Sequence, residues 1–147
     1  MDIFLFAQVV KLRSHRGKYL VAKEDEETVT QDRNGSSRNA QWTVELVPGS
    51  HSRPERIFLK SCYNKYLTAS DQTSSHGVRI KVLQTLPRML DNSIEWEPIR
   101  EGTQFNLVKL KTHNDTFLRA CQLRHNSVNL EGNTNQTILW NVEIVEV

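Results

Sequence analysis

Three stretches of this chain repeat one another. Val10-Lys-Leu-Arg-Ser-His-Arg-Gly-Lys-Tyr-Leu-Val-Ala22, Ile57-Phe-Leu-Lys-Ser-Cys-Tyr-Asn-Lys-Tyr-Leu-Thr-Ala69 and Val108-Lys-Leu-Lys-Thr-His-Asn-Asp-Thr-Phe-Leu-Arg-Ala120 align without gaps at offsets of 47 and 51 residues. Leu12, Leu59 and Leu110 coincide, as do Tyr19, Tyr66 and Phe117, the leucines that follow them, and Ala22, Ala69 and Ala120. Each unit then closes on a tryptophan segment: Trp42-Thr-Val-Glu, Trp96-Glu-Pro-Ile or Trp140-Asn-Val-Glu. All three tryptophans of the protein occupy this one role. A period near fifty residues constrains the fold more than any composition figure, because each unit is too small to bury its own apolar face.

Within each unit the apolar residues recur at every second position, which is the period of a strand. Val10 and Leu12 alternate with Lys11 and Arg13, and Trp140, Val142 and Ile144 share one face. Between the first two strands stand Arg16-Gly17, Tyr63-Asn64 and Asn114-Asp115, residue types that tolerate positive φ, so one tight turn is specified three times. Third strands are expected near Thr28-Val29-Thr30, Val78-Arg-Ile-Lys-Val82 and Ser127-Val-Asn-Leu130. Three units of about four strands are the arithmetic of an all-β β-trefoil, a six-stranded barrel capped by three hairpins, rather than of an ordinary sandwich. The 147 residues form one such domain, with repeats over about 5–49, 56–100 and 104–147. Tyr19, Tyr66, Phe117 and the tryptophans are assigned to the core, and the apolar N-terminus is expected to enter it as a first strand.

Charge and targeting narrow the function. Nineteen Lys and Arg against seventeen Asp and Glu give a net charge of +2, far from the basic face of a dedicated nucleic-acid binder. Asp2 stands where a secretion signal would carry positive charge, and no apolar run approaches a membrane span. A cytoplasmic location with free thiols at Cys62 and Cys121 is expected.

The middle unit departs from its siblings. Tyr66 to Trp96 spans thirty residues, against twenty-three for Tyr19 to Trp42 and for Phe117 to Trp140. The added stretch, residues 84–93, is expected to form one helical turn at Arg88-Met-Leu90 and to pack through Leu86 and Leu90. As the element that breaks the symmetry it is a candidate binding loop, with Arg88 its cation.

Catalytic chemistry is not indicated. His15, Cys62 and His113 are equivalent turn positions, which a threefold barrel holds apart around its rim, so no metal or other cofactor is expected. Ser14-His15 and Ser75-His76 are sequence neighbours, and neighbours on a strand point to opposite faces. No nucleophile elbow, phosphate loop or dinucleotide fingerprint occurs. Glu24-Asp-Glu-Glu27 reads as a solvated hairpin tip. The symmetric charges are more suggestive: Arg13, Lys60 and Lys111 are equivalent outward positions, flanked by Lys11 and Lys109. They predict a basic ring segregated from the acidic tip and suited to an acidic partner, such as an actin filament or an anionic lipid surface. A carbohydrate-binding trefoil is the alternative, although Gln41, Glu95 and Leu139 directly precede the tryptophans where lectin repeats carry Gln-x-Trp.

Several stretches also carry a resemblance: Glu26-Glu-Thr-Val-Thr-Gln-Asp-Arg-Asn-Gly-Ser-Ser37, Lys60-Ser-Cys-Tyr-Asn-Lys-Tyr-Leu-Thr-Ala-Ser70, Val82-Leu-Gln-Thr-Leu-Pro-Arg88 and Glu95-Trp-Glu-Pro-Ile-Arg-Glu-Gly102. Together with Val10-Lys-Leu-Arg-Ser-His, they resemble a plant family of domains of unknown function described as actin-crosslinking-like or fascin-like. The likeness spans nearly the whole chain and loosens after Ala120. There Cys121-Gln-Leu-Arg-His-Asn126 replaces a longer Gly- and Pro-rich stretch. It implies a fascin-like β-trefoil and a non-catalytic interaction module with actin as the expected partner.

Overall fold

The computed structural model describes residues 3–47, 55–73, 80–121, 127–132 and 136–147. Among these described residues there are twelve strands and four short 3-10 turns, and none is α-helical. They are β1 (Val9–Ser14), β2 (Tyr19–Ala22), β3 (Val29–Asp32), β4 (Trp42–Leu46), β5 (Ile57–Lys60), β6 (Tyr66–Thr73), β7 (Ile80–Thr85), β8 (Glu97–Arg100), β9 (Leu107–Lys111), β10 (Phe117–Ala120), β11 (Val128–Glu131) and β12 (Trp140–Glu146). Residues 74–79, 122–126 and 133–135 lie outside the described residues. With them go the Ser75-His76 pair and most of the segment after Ala120.

The ladders close on themselves, running β12-β9-β10-β11-β7-β6-β5-β4-β1 and back to β12. A shorter circuit is the six-stranded barrel: β1 pairs with β12 and β4, β4 with β5, β8 with β9, and β9 with β12. Its last gap, between β5 and β8, is closed by Ile57 and Trp96, which exchange N–H···O bonds of 2.9 and 3.0 Å. Hairpins β2-β3, β6-β7 and β10-β11 pair with one another at Thr28–Leu83, Thr30–Ser127 and Lys81–Asn129, forming the cap. The architecture is a β-trefoil, as the repeat predicts.

The repeat is visible bond by bond. Trp42 Nε1 donates to the Leu20 carbonyl at 3.0 Å, Trp96 to Leu67 at 2.9 Å and Trp140 to Leu118 at 3.0 Å. All three indoles are fully buried. Each bond ties the start of a returning barrel strand, or the residue just before it, to the first strand of its unit's hairpin, and so fixes the cap on the barrel. The turn after the first strand of each unit is equally regular. Gly17, Asn64 and Asp115 adopt φ of 80°, 61° and 62°. Ser14, Ser61 and Thr112 open these turns, and their hydroxyl oxygens accept from the N–H two and four residues on. Each 3-10 turn that precedes a tryptophan buries its last residue, Ala40, Ile94 or Ile138.

Three local expectations are corrected. The N-terminus enters the core as a 3-10 turn, Ile3–Leu5, not as a strand, with Ile3, Phe4 and Ala7 buried in the main cluster. The reason is covalent reach: β1 starts only at Val9, pairing with the end of β12, so the preceding residues fold under the barrel. Tyr66 and Phe117 are buried as expected, Tyr66 in a smaller cluster with Val47, Phe58 and Ile94. Tyr19 is only half-buried, since strand alternation turns it away from Leu20 and outward. The helical turn expected at Arg88-Met-Leu90 does not form. Asn92–Ile94 is instead the 3-10 turn that each unit carries before its tryptophan, and here the Asp91 carboxylate accepts from the Ser93 N–H.

Because the three indole bonds are equivalent, Trp42→Phe, Trp96→Phe and Trp140→Phe are expected to lose similar stability. Each forfeits a buried hydrogen bond and leaves a void, about 2 kcal/mol or more. Urea unfolding monitored by circular dichroism checks this; one silent substitution among the three would contradict the equivalence.

Candidate partner-binding surface

Each predicted basic residue stands opposite an aromatic ring. Arg13 pairs in register with Tyr19, Lys60 with Tyr66 and Lys111 with Phe117. The Arg13 guanidinium lies 5.9 Å and the Lys60 ammonium 5.6 Å from the neighbouring ring centroid, and Lys11 and Lys109 lie 5.9 and 6.0 Å from Tyr19 and Phe117. Cations within about 6 Å of a ring face are held by its quadrupole.

The ring is also compensated. Arg13 reaches Glu143 at 3.9 Å, Lys60 reaches Glu45 at 3.5 Å, Lys109 reaches Glu101 at 3.0 Å and Lys111 reaches Asp115 at 3.0 Å. The bond from Asp115 raises the Lys111 ammonium above its ordinary pKa. The expected segregation of acidic groups to the 25–27 tip is therefore corrected: carboxylates are interleaved with the cations because register puts them on the same outward face. Glu143 sits opposite Lys11, and Glu45 opposite Phe58.

Glu45 and Glu143 also accept from tyrosine. Tyr19 Oη donates to both Glu143 oxygens at 3.1 and 3.0 Å, and Tyr66 Oη donates to Glu45 at 3.1 Å. Burial, then the bond to the carboxylate, raises both phenols above their usual pKa. In the third unit the equivalent pair is Phe117 with Ile99, which occupies the Glu45 position of its strand opposite Lys109. Hydroxyl and carboxylate are absent there together, so the contact is apolar. The Trp-x-Val-Glu segments carried this signal in sequence, since the middle unit reads Trp-Glu-Pro-Ile instead.

Arg88 lies apart from the ring, on the insertion. Leu86, Met89 and Leu90 around it are 65%, 80% and 55% exposed, so the packing expected of Leu86 and Leu90 is corrected. Ile94 takes the buried position in this segment, which leaves the preceding residues to project.

The remaining candidates are structural. Ser14 is buried and spends its oxygen on the turn, while His15 beside it is exposed; burial and then Arg16 hold the imidazole below its ordinary pKa. Burial pushes the Cys62 thiol up, and Cys62 and Cys121 are unbridged. Among the described residues no three His, Cys, Asp or Glu side chains gather as a metal site, and no helix is long and apolar enough to cross a membrane.

A β-trefoil whose rigid barrel presents aromatic-backed ion pairs and one asymmetric loop is the class that fold and surface define. The chain belongs to the family of β-trefoil domains of unknown function, DUF569, which matches residues 1–140. No curated protein matches it. Among solved structures it is similar to the SDF2-like protein from Arabidopsis thaliana, at 17% identity and a TM-score of 0.80, covering 94% of this chain and 93% of that one. The BEL β-trefoil is similar at 17% identity and a TM-score of 0.74, with 94% and 93% covered. A GlcNAcα1-4Gal-releasing endo-β-galactosidase from Clostridium perfringens matches at 16% identity and 0.70, over 95% of this chain and 33% of that one. These likenesses fix the fold.

The acidic tip makes a pH prediction. Asp25 accepts from the Thr28 hydroxyl and from the N–H groups of Thr28 and Glu27, which lowers its pKa from 3.8 to about 2. A lowered folded-state pKa stabilises above the unfolded value and loses that contribution as pH falls toward about 2. Asp25→Asn is expected to cost at most about 1 kcal/mol near neutral pH, since the site is exposed. The deficit should shrink below pH 3.8 and vanish near pH 2; urea midpoints across that range check it.

Proposed function

We propose that this chain is a non-catalytic binding module whose ligand surface is the outer barrel face around Arg13, Lys60 and Lys111, with Lys11 and Lys109 beside them. The observation that carries the reading is that a cation of each unit lies over that unit's aromatic ring: Arg13 over Tyr19, Lys60 over Tyr66 and Lys109 over Phe117. This restrains long side chains before a partner arrives. Preorganised cations lose less conformational freedom on binding than free ones. Their carboxylate partners Glu45, Glu143 and Asp115 are exchangeable for the carboxylates of an acidic protein surface.

Actin is the partner favoured by the likeness to fascin-like trefoils, and an acidic filament suits the electrostatics. A cytoplasmic location belongs to the same reading and is supported by the free thiols of Cys62 and Cys121. Glycan binding is supported less well: a sugar-stacking role for the tryptophans conflicts with their complete burial.

Cosedimentation with filamentous actin tests the proposal. The native protein is expected to pellet with filaments, and Arg13→Gln/Lys60→Gln/Lys111→Gln together to weaken this by about tenfold or more, with the loss shrinking as salt rises. Glutamine removes the charge while keeping a polar, unbranched side chain, one or two atoms shorter. Native protein left in the supernatant at low salt would end the actin reading, and binding on a glycan array would then favour the alternative.

A further inference from the structure

Among the described residues, the large apolar side chains left exposed fall into two sets. One is the insertion tip, Leu86, Met89 and Leu90. The other comprises Leu5, Phe6, Leu46, Phe105 and the end of β12 from Ile144 to Val147. The second set lies at one end of the barrel. Leu46 pairs with Ile57, Arg100 with Val108 and Glu146 with Val9, so the ends of β4, β8 and β12 meet the starts of β5, β9 and β1 there. This mouth is floored by the buried Ile3 and Phe4, and Phe6 stacks on Phe105 with ring centroids 6.1 Å apart. The tip leaves β7 opposite Tyr66, at the Lys60 end of β5, whereas the mouth is at its Ile57 end. Neither set covers the other within one copy.

We propose that the chain associates with itself head to tail, the insertion tip of one copy docking on the barrel mouth of the next. Charge complements shape. The tip carries exposed Arg88 and Asp91, and the mouth carries exposed Glu146 and Arg100. The Asp91 carboxylate accepts from Ser93 and also feels the charge of His113, while Arg88, Arg100 and Glu146 are in no ion pair among the described residues. A narrow projecting tip against a second tip would bury little area. Against the barrel end it covers both apolar sets at once, and Arg88 meets Glu146 while Asp91 meets Arg100. Such an interface joins two different patches, so each copy offers one free tip and one free mouth, and copies add in a row. The contact is small, so association is concentration-dependent and weak by the standard of permanent dimers.

The proposal stands whether or not actin is the partner. Sedimentation velocity of the full chain at rising concentration tests it, using Met89→Asp to block the tip and Phe105→Asp to block the mouth. Both positions are exposed, and circular dichroism verifies folding; Leu86→Ser and Leu46→Ser replace them if either variant unfolds. The native chain is expected to shift from monomer to dimer and larger species, and each variant alone to remain monomeric. Mixing the two should restore a dimer that grows no further, because only the intact tip of one and the intact mouth of the other remain. A native chain monomeric at every concentration overturns the proposal. So does association by either variant alone, or a mixture that stays monomeric.

Discussion

The bond from each buried indole N–H to a leucine carbonyl is the contact on which the rest of this trefoil depends. A barrel of six short strands and a cap of three hairpins meet in register at only one residue pair per unit, Arg13–Tyr19, Lys60–Tyr66 and Lys111–Phe117. Ladder bonds alone therefore do little to stop one shifting on the other. Trp42, Trp96 and Trp140 prevent that, because each stands where its unit returns to the barrel and is bonded to the first strand of its own hairpin. An indole is large enough to fill the barrel centre, and its polar edge must find an acceptor when water is excluded. Size and polarity together therefore select one position for the ring and one register for the chain.

With the interior so determined, the outward face is set by alternation. Once Leu20, Leu67 and Leu118 point to the barrel interior, Tyr19, Tyr66 and Phe117 take the opposite face of their strands, where Tyr66 and Phe117 are still buried. The basic residues paired with them thereby acquire aromatic neighbours. Surface ion pairs are individually weak. Here they fix placement more than stability, since Arg13, Lys60 and Lys109 are each restrained by a ring and a carboxylate at once. The joint change to Phe117 and Ile99 in the third unit follows the same logic. A lone glutamate there would face no hydroxyl, and a lone tyrosine no acceptor.

Much of this was legible in the chain because it is written three times. The aligned leucines, alanines and tryptophans predict the barrel, and Gly17, Asn64 and Asp115 predict the turns that the structure shows at positive φ. The serine and threonine hydroxyls that open those turns, at 14, 61 and 112, also align, but their role as acceptors of turn N–H groups emerges only from the structure. Single-copy features were less legible. The fold of residues 3–7 depends on where β12 ends, a contact across the whole sequence. The fate of Leu86 and Leu90 depended on whether Ile94 had already taken the one buried position nearby. The outward positions of Arg13, Lys60 and Lys111 follow from strand alternation, and Asp115 is a local partner of Lys111. Glu143 and Glu45, however, reach Arg13 and Lys60 from other units, and no local pattern reports them.

Threefold symmetry also bears on where function can reside. Repeated positions are committed to closing the barrel, so a change at one must be matched at its two equivalents or cost stability. The insertion and the barrel mouth escape that condition, since each occurs once. A single trefoil presenting its basic ring could hold one filament face but would have no second site with which to join two filaments. On the two proposals above, head-to-tail association through the two unique patches would remove that restriction without altering any symmetric residue, because every added copy would bring another ring of Arg13, Lys60 and Lys111. Effective concentration would then do the rest: with one copy bound, its neighbours in the row would bind as though tethered, and weak individual contacts would become avid ones. Proposed binding through the repeated surface and proposed assembly through the unrepeated one involve different residues, so each can be altered without the other.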